Sequence, residues 1–289
     1  MTHILGYVGR INDRDVERLK KEEKFANYAG STDMGKLGIE RYYEEQLHGT
    51  TGFEEVEINN RGKVIRKLRE QPATAGKSIH LTIDLALQRY IMSLLSGQKG
   101  AVVVLDPKDN SVLAMVSTPS YDNNLFVDGI SASDYKRLLD DPARPLYSRA
   151  TQGVYPPAST VKPFVAVAAL TEGVITPNTT IFDPGYWTLP NSTKRFRDWK
   201  KTGHGYTDLN KAITESSDTF FYQTAFNLGI DRLSMWMKRF GFGMPTGIEI
   251  QEEATANMPS KEWKQKRYKK PWASAAEFAE EKSCDTVSS

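Results

Sequence analysis

The sequence predicts an α+β fold in which helices flank an antiparallel sheet, on three observations. Two apolar segments, AVVVLD and SVLAMVS, are joined by a turn at residues 107–110, which predicts a hydrophobic hairpin. A segment with helical character, TIDLALQRYIMSLLSG, precedes the hairpin, and apolar helical segments follow it after residue 153. Because a sheet buries its apolar faces against other elements, this order favours helices packed on a sheet.

Composition sets the limits of the fold. A chain of 289 residues with 39% hydrophobic and 26% charged residues is typical of a globular protein with one large or two smaller domains. The net charge of +2 does not suggest a nucleic-acid partner. The single Cys284 excludes an internal disulfide. No apolar run is long enough to cross a bilayer and the N-terminus lacks signal-peptide character, so we expect no anchor within this sequence.

Residues 1–76 predict small polar elements. DRDVERLKK is a short charged helix, and MGKLGIERYYEEQLHG predicts one amphipathic helix that stops at Gly49. EVEINNRGKVIRKL predicts a hairpin that turns at residues 59–62. REQPATAGKS predicts a loop.

The elements after residue 76 alternate between helices and loops. TIDLALQRYIMSLLSG predicts a helix capped by Thr82 or Asp84, and SASDYKRLLDD predicts another. YPPASTVKPFVAVAALTEG predicts a turn followed by a buried helix, and residues 177–208 predict loops. Two further helices are predicted, LNKAITESSDTFFYQTAFNLG and DRLSMWMKRFG. NMPSKEWKQKRYKKPW predicts a basic loop, typical of a solvated face, with an RNA- or lipid-binding patch as the alternative.

The pattern Ser-x-x-Lys occurs three times, beginning at Ser96, Ser133 and Ser159. Ser96 lies at a helix end and Ser133 among charged neighbours, which is typical of ordinary caps. Ser159 instead opens the apolar helix, and Lys162 lies on the same helical face. Burial would favour a neutral amine there, the base that a serine nucleophile requires. From these residues alone, a nucleophile and a capped core helix remain equally open.

The segment Ser216-Ser217-Asp218 is a second candidate. Alone, it is typical of a helix N-cap. A serine nucleophile with a lysine base, however, needs a second hydroxyl to relay protons and a polar side chain to hold the substrate. This segment offers both.

The segments VYPPASTVKPF, KLGIERYYEEQLHG, ESSDTFFYQ and VLDPKDNSVLAMVSTPSYDNNLF together resemble the penicillin-binding protein 2 family of elongation-type, class B peptidoglycan D,D-transpeptidases, from residue 1 to Trp272. The resemblance implies a remnant of the pedestal (dimerisation-type) domain at 1–76, the N-terminal part of the transpeptidase domain at 77–272 and a non-family tail at 273–289. It also implies that the membrane anchor, the Lys-Thr-Gly strand and the last sheet strands lie outside this sequence. The family works at the periplasmic face of the bacterial inner membrane.

The resemblance also implies roles for individual residues. Ser159 would attack the D-Ala-D-Ala carbonyl of a peptidoglycan stem peptide, and its backbone N–H would form half of the oxyanion hole. Lys162 would take its proton, and Ser216 would pass a proton to the leaving D-Ala. Asp218, where many relatives have Asn, would bind substrate. The implied partners are stem peptides, β-lactams and elongation-complex membrane proteins, without nucleic acid.

Two further patterns concern the third motif and a metal. Lys201-Thr202-Gly203 precedes Ser216, whereas the family motif follows it, so this copy is interpreted as coincidence. Some family members hold zinc with two Asp, one His and one Cys. Asp183, Asp198 and His204 match that pattern here, but Ser217, a poor ligand, stands at the Cys position. The alternatives are surface polar groups or a structural zinc, and no other cofactor is expected.

Two other classes of function stay open. One is a β-lactam-binding sensor or scaffold without turnover, which slow deacylation would favour. The other is an inert frameshift or truncation product, which the change of composition at Ala273 favours. The expectation for the chain is an incomplete transpeptidase with weak or no activity.

Overall fold

The computed structural model describes residues 1–190 and 192–269. Two compact units divide the chain: Met1–Gly153 with Gly247–Ala254 form unit 1, and Val154–Thr246 with the residues from Thr255 form unit 2. Helices alternate with strand pairs, and every pair is antiparallel, which confirms the α+β class. The tail at 273–289 lies outside the described residues.

The first half of unit 1 consists of short helices and two strand pairs, β1–β2 and β3–β4. The elements are α1 (Thr2–Leu5), β1 (Val8–Arg10), α2 (Asp13–Lys21), β2 (Asp33–Gly35), α3 (Gly38–Tyr42), α4 (Glu44–His48), β3 (Phe53–Ile58) and β4 (Val64–Gln71). α2 forms where the sequence predicts it, because Asn12 and Asp15 cap it reciprocally.

The single helix predicted from MGKLGIERYYEEQLHG is wrong. Its first residues form β2, and the rest divides into α3 and α4. Gly38 explains the break: it has φ +60°, and a Cβ there would lie 2.4 Å from the Ile4 carbonyl oxygen. The chain therefore turns tightly against α1 instead of continuing as a helix. The stop at Gly49 (φ +77°) is confirmed.

The hairpin of β3 and β4 is confirmed, but β4 reaches Gln71 and takes in residues predicted as loop. Every residue of β4 is exposed. Two register shifts interrupt the ladder. A bridge between Thr50 and Thr74 closes its base.

The second half of unit 1 is built on α5 and the hydrophobic hairpin. Its elements are α5 (Leu85–Leu94), β5 (Gly100–Leu105), β6 (Val112–Thr118) and α6 (Ala132–Asp140), with a 3₁₀ turn at Asn123–Phe126. Asp84 caps α5, as one of the two predicted alternatives. Ile91 of α5 packs on Ala114 and Val116, so the helix covers one face of the hairpin.

Unit 2 has a helical core. Its elements are α7 (Lys162–Thr171), β7 (Ile181–Asp183), β8 (Tyr186–Thr188), β9 (Arg195–Arg197), β10 (Gly205–Thr207), α8 (Leu209–Thr214), α9 (Asp218–Leu228), α10 (Ile230–Arg239) and α11 (Lys261–Tyr268). Side chains of α7, α9 and α10 form the core, among them Ala168, Phe220, Leu228 and Met237. α7 is buried on one face only, since Val167 is 47% exposed.

Three predictions for unit 2 are wrong. Residues 177–208 contain four short strands, paired as β7–β10 and β8–β9. The helix predicted from residue 209 breaks into α8 and α9. The basic segment predicted as a loop contains α11, because the Ser260 hydroxyl caps it by accepting the Trp263 N–H.

Among the described residues, five separate two-stranded sheets form. Within the same part of the chain, none of the helices has both the length and the apolar character needed to cross a membrane.

Candidate active site

Ser159 lies in a 3₁₀ turn, Ala158–Val161, directly before α7. Ala158 has φ +47°, a left-handed conformation that a residue with a Cβ rarely adopts. The Ser159 side chain is exposed. Within the described chain, its hydroxyl has no hydrogen-bond partner. Strain of this kind concentrates at functional sites, and here it presents a hydroxyl to solvent at the start of a helix that is buried on one face.

Lys162, the first residue of α7, is buried with 7% exposure. Its Nζ donates to the Ser216 carbonyl at 2.7 Å, to Ser216 Oγ at 3.0 Å and to Asp218 Oδ1 at 2.6 Å. These three acceptors match the three donors of an ammonium group. The surroundings of the amine are therefore polar and include an ion pair with Asp218, which the sequence did not predict.

Ser216 lies at the break between α8 and α9. Its φ of +56° reverses the chain, so that its carbonyl and its hydroxyl both face Lys162. The structure thus brings Lys162, Ser216 and Asp218 together across more than fifty residues of sequence. Ser159 lies one helical turn from Lys162 without a direct hydrogen bond to it in the described contacts.

The predicted metal ligands also converge. Asp183 ends β7, Asp198 follows β9 and His204 precedes β10, and all three are buried. Their ligand atoms lie within 4.8 Å of one another. Ser217 Oγ lies 3.0 Å from Asp183 Oδ2 and 3.3 Å from Asp198 Oδ2, while His204 Nε2 lies 3.2 Å from Asp198 Oδ1. The alternative of surface polar groups is therefore wrong.

Hydrogen bonds hold this buried cluster in place. Burial alone would raise the pKa of Asp198, but the backbone N–H groups of Thr219 and Lys200, with contributions from Asp183 and His204, outweigh it and lower that pKa. Two carboxylates and an imidazole are suitable zinc ligands. His204 also has the second contact that metal-binding histidines commonly show, since its Nδ1 lies 2.7 Å from Glu215 Oε2. These three groups fit a zinc ion, whereas the Ser217 hydroxyl is a weak fourth ligand.

Glu215 and Trp199 join this arrangement, and no sequence pattern singled them out. The hydrogen bond with His204 lowers the pKa of Glu215. The Trp199 indole N–H donates to the Glu215 carbonyl at 3.1 Å. Ser217, which follows Ser216 in the chain, is also fixed, because its hydroxyl contacts the buried cluster and caps α9. Both neighbours of Ser216 are thereby anchored, which stabilises its left-handed backbone.

The two other Ser-x-x-Lys copies lie in ordinary surface positions. Ser133 contacts Ser131 near the start of α6, and Lys136 pairs with Asp140 at 3.0 Å, exposed to solvent. Ser96 follows α5 in an exposed turn. Lys201-Thr202-Gly203 lies in the loop between β9 and β10, not on a strand.

Comparison with known proteins identifies the family of this chain. The penicillin binding protein transpeptidase domain matches residues 100–277, and the penicillin-binding protein dimerisation domain matches residues 1–81. The peptidoglycan D,D-transpeptidase MrdA of Haemophilus influenzae is 85% identical over 272 residues, which are 94% of this chain and 42% of that protein. MrdA of Escherichia coli K12 is 65% identical over 272 residues, 94% of this chain and 43% of that protein. The chain spans about two fifths of the length of these relatives.

Solved structures of penicillin-binding proteins share the fold of this chain. Pseudomonas aeruginosa PBP2, in complex with WCK 5153, superposes with a TM-score of 0.87 at 44% identity, covering 99% of this chain and 58% of that one. Helicobacter pylori PBP2, in complex with MreC, gives a TM-score of 0.86 at 34% identity, covering 94% of this chain and 50% of that one. The matched transpeptidase profile, the high identity to MrdA proteins and the shared fold confirm the resemblance found in the sequence. The chain belongs to the penicillin-binding protein transpeptidase family.

Proposed function

We propose that the chain carries the acylation machinery of a peptidoglycan D,D-transpeptidase, a serine acyltransferase that cross-links stem peptides ending in D-Ala-D-Ala. The supporting observation is the position of Lys162. Its amine contacts the hydroxyl of Ser216 at 3.0 Å, and it lies one helical turn from the exposed hydroxyl of Ser159. A buried lysine between two serines is suited to move a proton from a nucleophile to a leaving group.

The steps follow from these contacts. Ser159 Oγ forms a bond to the carbonyl carbon of the penultimate D-Ala while its proton passes to the neutral amine form of Lys162. The carbon–nitrogen bond to the terminal D-Ala then breaks as Ser216 hands its proton to that leaving amine and takes one from Lys162. An amine of a second stem peptide attacks the acyl carbon and forms the cross-link, the ester bond to Ser159 breaks, and the proton lost by the attacking amine passes through Lys162 to Ser159 Oγ. Asp218 holds Lys162 in place and contributes a polar group for the substrate amide.

β-Lactams are proposed as covalent ligands of the same serine, because a strained amide carbonyl reacts with the nucleophile as the substrate does. The related PBP2 of Helicobacter pylori forms a complex with MreC. By analogy, the proposal includes elongation-complex proteins as partners and the periplasmic face of the inner membrane as the location.

A structural zinc ion is proposed at the buried cluster, held by Asp183, Asp198 and His204. The ion would neutralise the two carboxylates and join the β7–β10 and β8–β9 pairs to the start of α9. The acylation steps need no cofactor. Here the protein's own residues position Ser216, through the Ser217 and Glu215 contacts described above.

Labelling by a fluorescent penicillin tests the proposed nucleophile. The purified chain is incubated with excess reagent and separated on a denaturing gel, which detects only covalent adducts. We expect label on the unaltered chain and on the Ser133→Ala control, and none on Ser159→Ala. Label that persists in Ser159→Ala and disappears in Ser133→Ala would refute the assignment.

A further inference from the structure

The helix α11 and its neighbour α10 concentrate positive charge. Together they carry seven basic and two acidic residues, although the net charge of the whole chain is only +2. They are adjacent, because Lys261 at the start of α11 pairs with Asp231 at the start of α10. The Ser260 hydroxyl lowers the pKa of Glu262 on α11, and Lys238 of α10 lies close enough for its charge to act in the same direction. The two adjacent helices thus place this charge in one part of unit 2.

Four of these side chains, Lys238, Arg239, Lys266 and Arg267, are here called the basic surface. All four are exposed. Lys266 follows Glu262 by one helical turn, which places it on the side that approaches Lys238. Within the described residues, no carboxylate forms an ion pair with any of the four. Their charge is therefore available to an anion from outside.

The two arginines are held by aromatic rings. Arg239 lies over Trp236 at 5.0 Å, and Arg267 lies within 6 Å of the Trp263 and Tyr268 rings. Trp236 is itself fixed, since its indole N–H donates to Glu172 Oε1 at 2.8 Å. These ring contacts restrict where each guanidinium can lie, and its N–H groups suit bidentate contact with a carboxylate. Lysines on an ordinary solvated helix face are not held in place by such ring contacts.

The basic surface lies at the same end of unit 2 as the candidate active site. Phe240, which follows Arg239 directly, packs edge-on against Phe164 of α7 with ring centroids 5.1 Å apart. Phe164 lies in the first turn of α7, which begins at Lys162. The C-terminal end of α10 therefore contacts the N-terminal turn of α7, the turn that carries the proposed base.

We propose that the basic surface binds the carboxylates of an acidic peptide and guides that peptide toward the acylation site. The proposal rests on the proposed function for the source of the peptide, a peptidoglycan stem peptide. Carboxylates are favoured over phosphates because the net charge of the whole chain is only +2, so the positive charge is confined to a small area. A nucleic acid or an anionic lipid would call for a wider positive field.

The test uses the purified 289-residue chain and a fluorescent oligoglutamate peptide as probe, with binding followed by anisotropy at low and at high salt. The test variant combines Lys238→Gln, Arg239→Gln, Lys266→Gln and Arg267→Gln. The control variant removes four positive charges from the exposed β3–β4 hairpin, through Arg61→Gln, Lys63→Gln, Arg66→Gln and Arg69→Gln. Both variants have the same net charge, so any difference in binding between them depends on where the removed charges lie.

We expect the test variant to bind oligoglutamate about tenfold or more weakly, with a smaller salt dependence, and the control variant to bind within about twofold of the unaltered chain. Equal losses in the two variants, or no binding by the unaltered chain at low salt, would overturn the proposal. Tighter binding of duplex DNA or of phosphatidylglycerol vesicles than of oligoglutamate would overturn the choice of occupant. Penicillin labelling at Ser159 should be unchanged in the test variant, so a failure here is distinct from a failure of the proposed function.

Discussion

Ser216 and Ala158 adopt left-handed backbone conformations, with φ of +56° and +47°. Such conformations cost about 1–3 kcal/mol each for residues with a Cβ, so the surrounding contacts must compensate. For Ser216 these contacts come from Lys162, Glu215 and Ser217. The strained backbone and the contacts that anchor it therefore act together, and they orient the Ser216 hydroxyl, which is proposed to relay a proton.

Lys162 should not tolerate arginine. The guanidinium keeps the positive charge near Asp218 but does not deprotonate at working pH, so it cannot serve as the base. We expect Lys162→Arg to lower the rate of penicillin acylation by about 10²-fold or more with the fold retained. Stopped-time labelling gives the rate, and far-ultraviolet circular dichroism checks the fold. Near-normal acylation would mean that Lys162 acts only as a charge.

At the scale of elements, the N-terminus of α2 depends on a capping box whose N3 residue, Asp15, is charged. Asp15 accepts the Asn12 N–H at 3.0 Å and pairs with Lys36. Burial alone would raise the pKa of Asp15, but the Lys36 and Asn12 contacts outweigh it and hold the pKa below the usual 3.8. The ionised form is thus favoured by folding. The contribution of ionised Asp15 to stability is present above pH 3.8 and is lost as the pH falls through the lower pKa of the folded state.

We therefore expect Asp15→Asn to lower the free energy of unfolding of unit 1 by about 1 kcal/mol at neutral pH, with a smaller difference in acid. Denaturant titrations at several pH values would measure it. Asp13→Asn, in the same helical turn but exposed, is the matched control. An equal loss in both variants, or a difference that persists unchanged into strong acid, would contradict the role of the cap.

The elements show how far local pattern can predict structure. α2, α5, α6, α10 and the two hairpins follow from periodicity and caps within a few residues of sequence. The break at Ser216 and the split at Gly38 do not, because each is set by contacts with distant backbone or side chains. α11 was missed because a run of lysines masks a helix whose start is marked only by Ser260.

The candidate site likewise combines residues that local sequence predicts with contacts that depend on tertiary packing. Ser159 and Lys162 are near neighbours in a recognisable motif, so sequence suffices to find them. The Lys162–Asp218 ion pair and the role of Glu215 depend on how α7, α8 and α9 pack, which no local pattern encodes. The zinc assignment and the domain boundaries stay predictions.

At the scale of the whole molecule, we expect slow acylation of the 289-residue chain. A serine acyltransferase needs two backbone donors for the oxyanion, and the loss of one costs about 10²–10³-fold in rate. The Ser159 N–H is the proposed first donor, but the only Lys-Thr-Gly in this sequence lies in a loop before Ser216. Val103 and Leu105 on β5 are also 47% and 49% exposed, and β5 pairs only with β6 among the described strands, which favours aggregation.

The measurements are a thermal melt and a labelling time course, with full-length MrdA of Haemophilus influenzae as reference. We expect labelling at least about 10²-fold slower than in the reference, with a melting temperature below that of the reference and aggregation on heating. A sharp, cooperative melt together with stoichiometric labelling of Ser159 at the reference rate would refute this prediction.

The turn of the β3–β4 hairpin is a suitable position for inserting a short tag. Its turn at residues 59–62 is exposed and is closed by local contacts, with the Asn59 side chain accepting the N–H groups of Arg61 and Lys63. Exposed turns of this kind tolerate inserted segments. A small epitope or a dye-acceptor peptide placed after Asn60 would therefore report the protein in microscopy or pull-down experiments, from a position in unit 1, whereas the Ser159 chemistry belongs to unit 2.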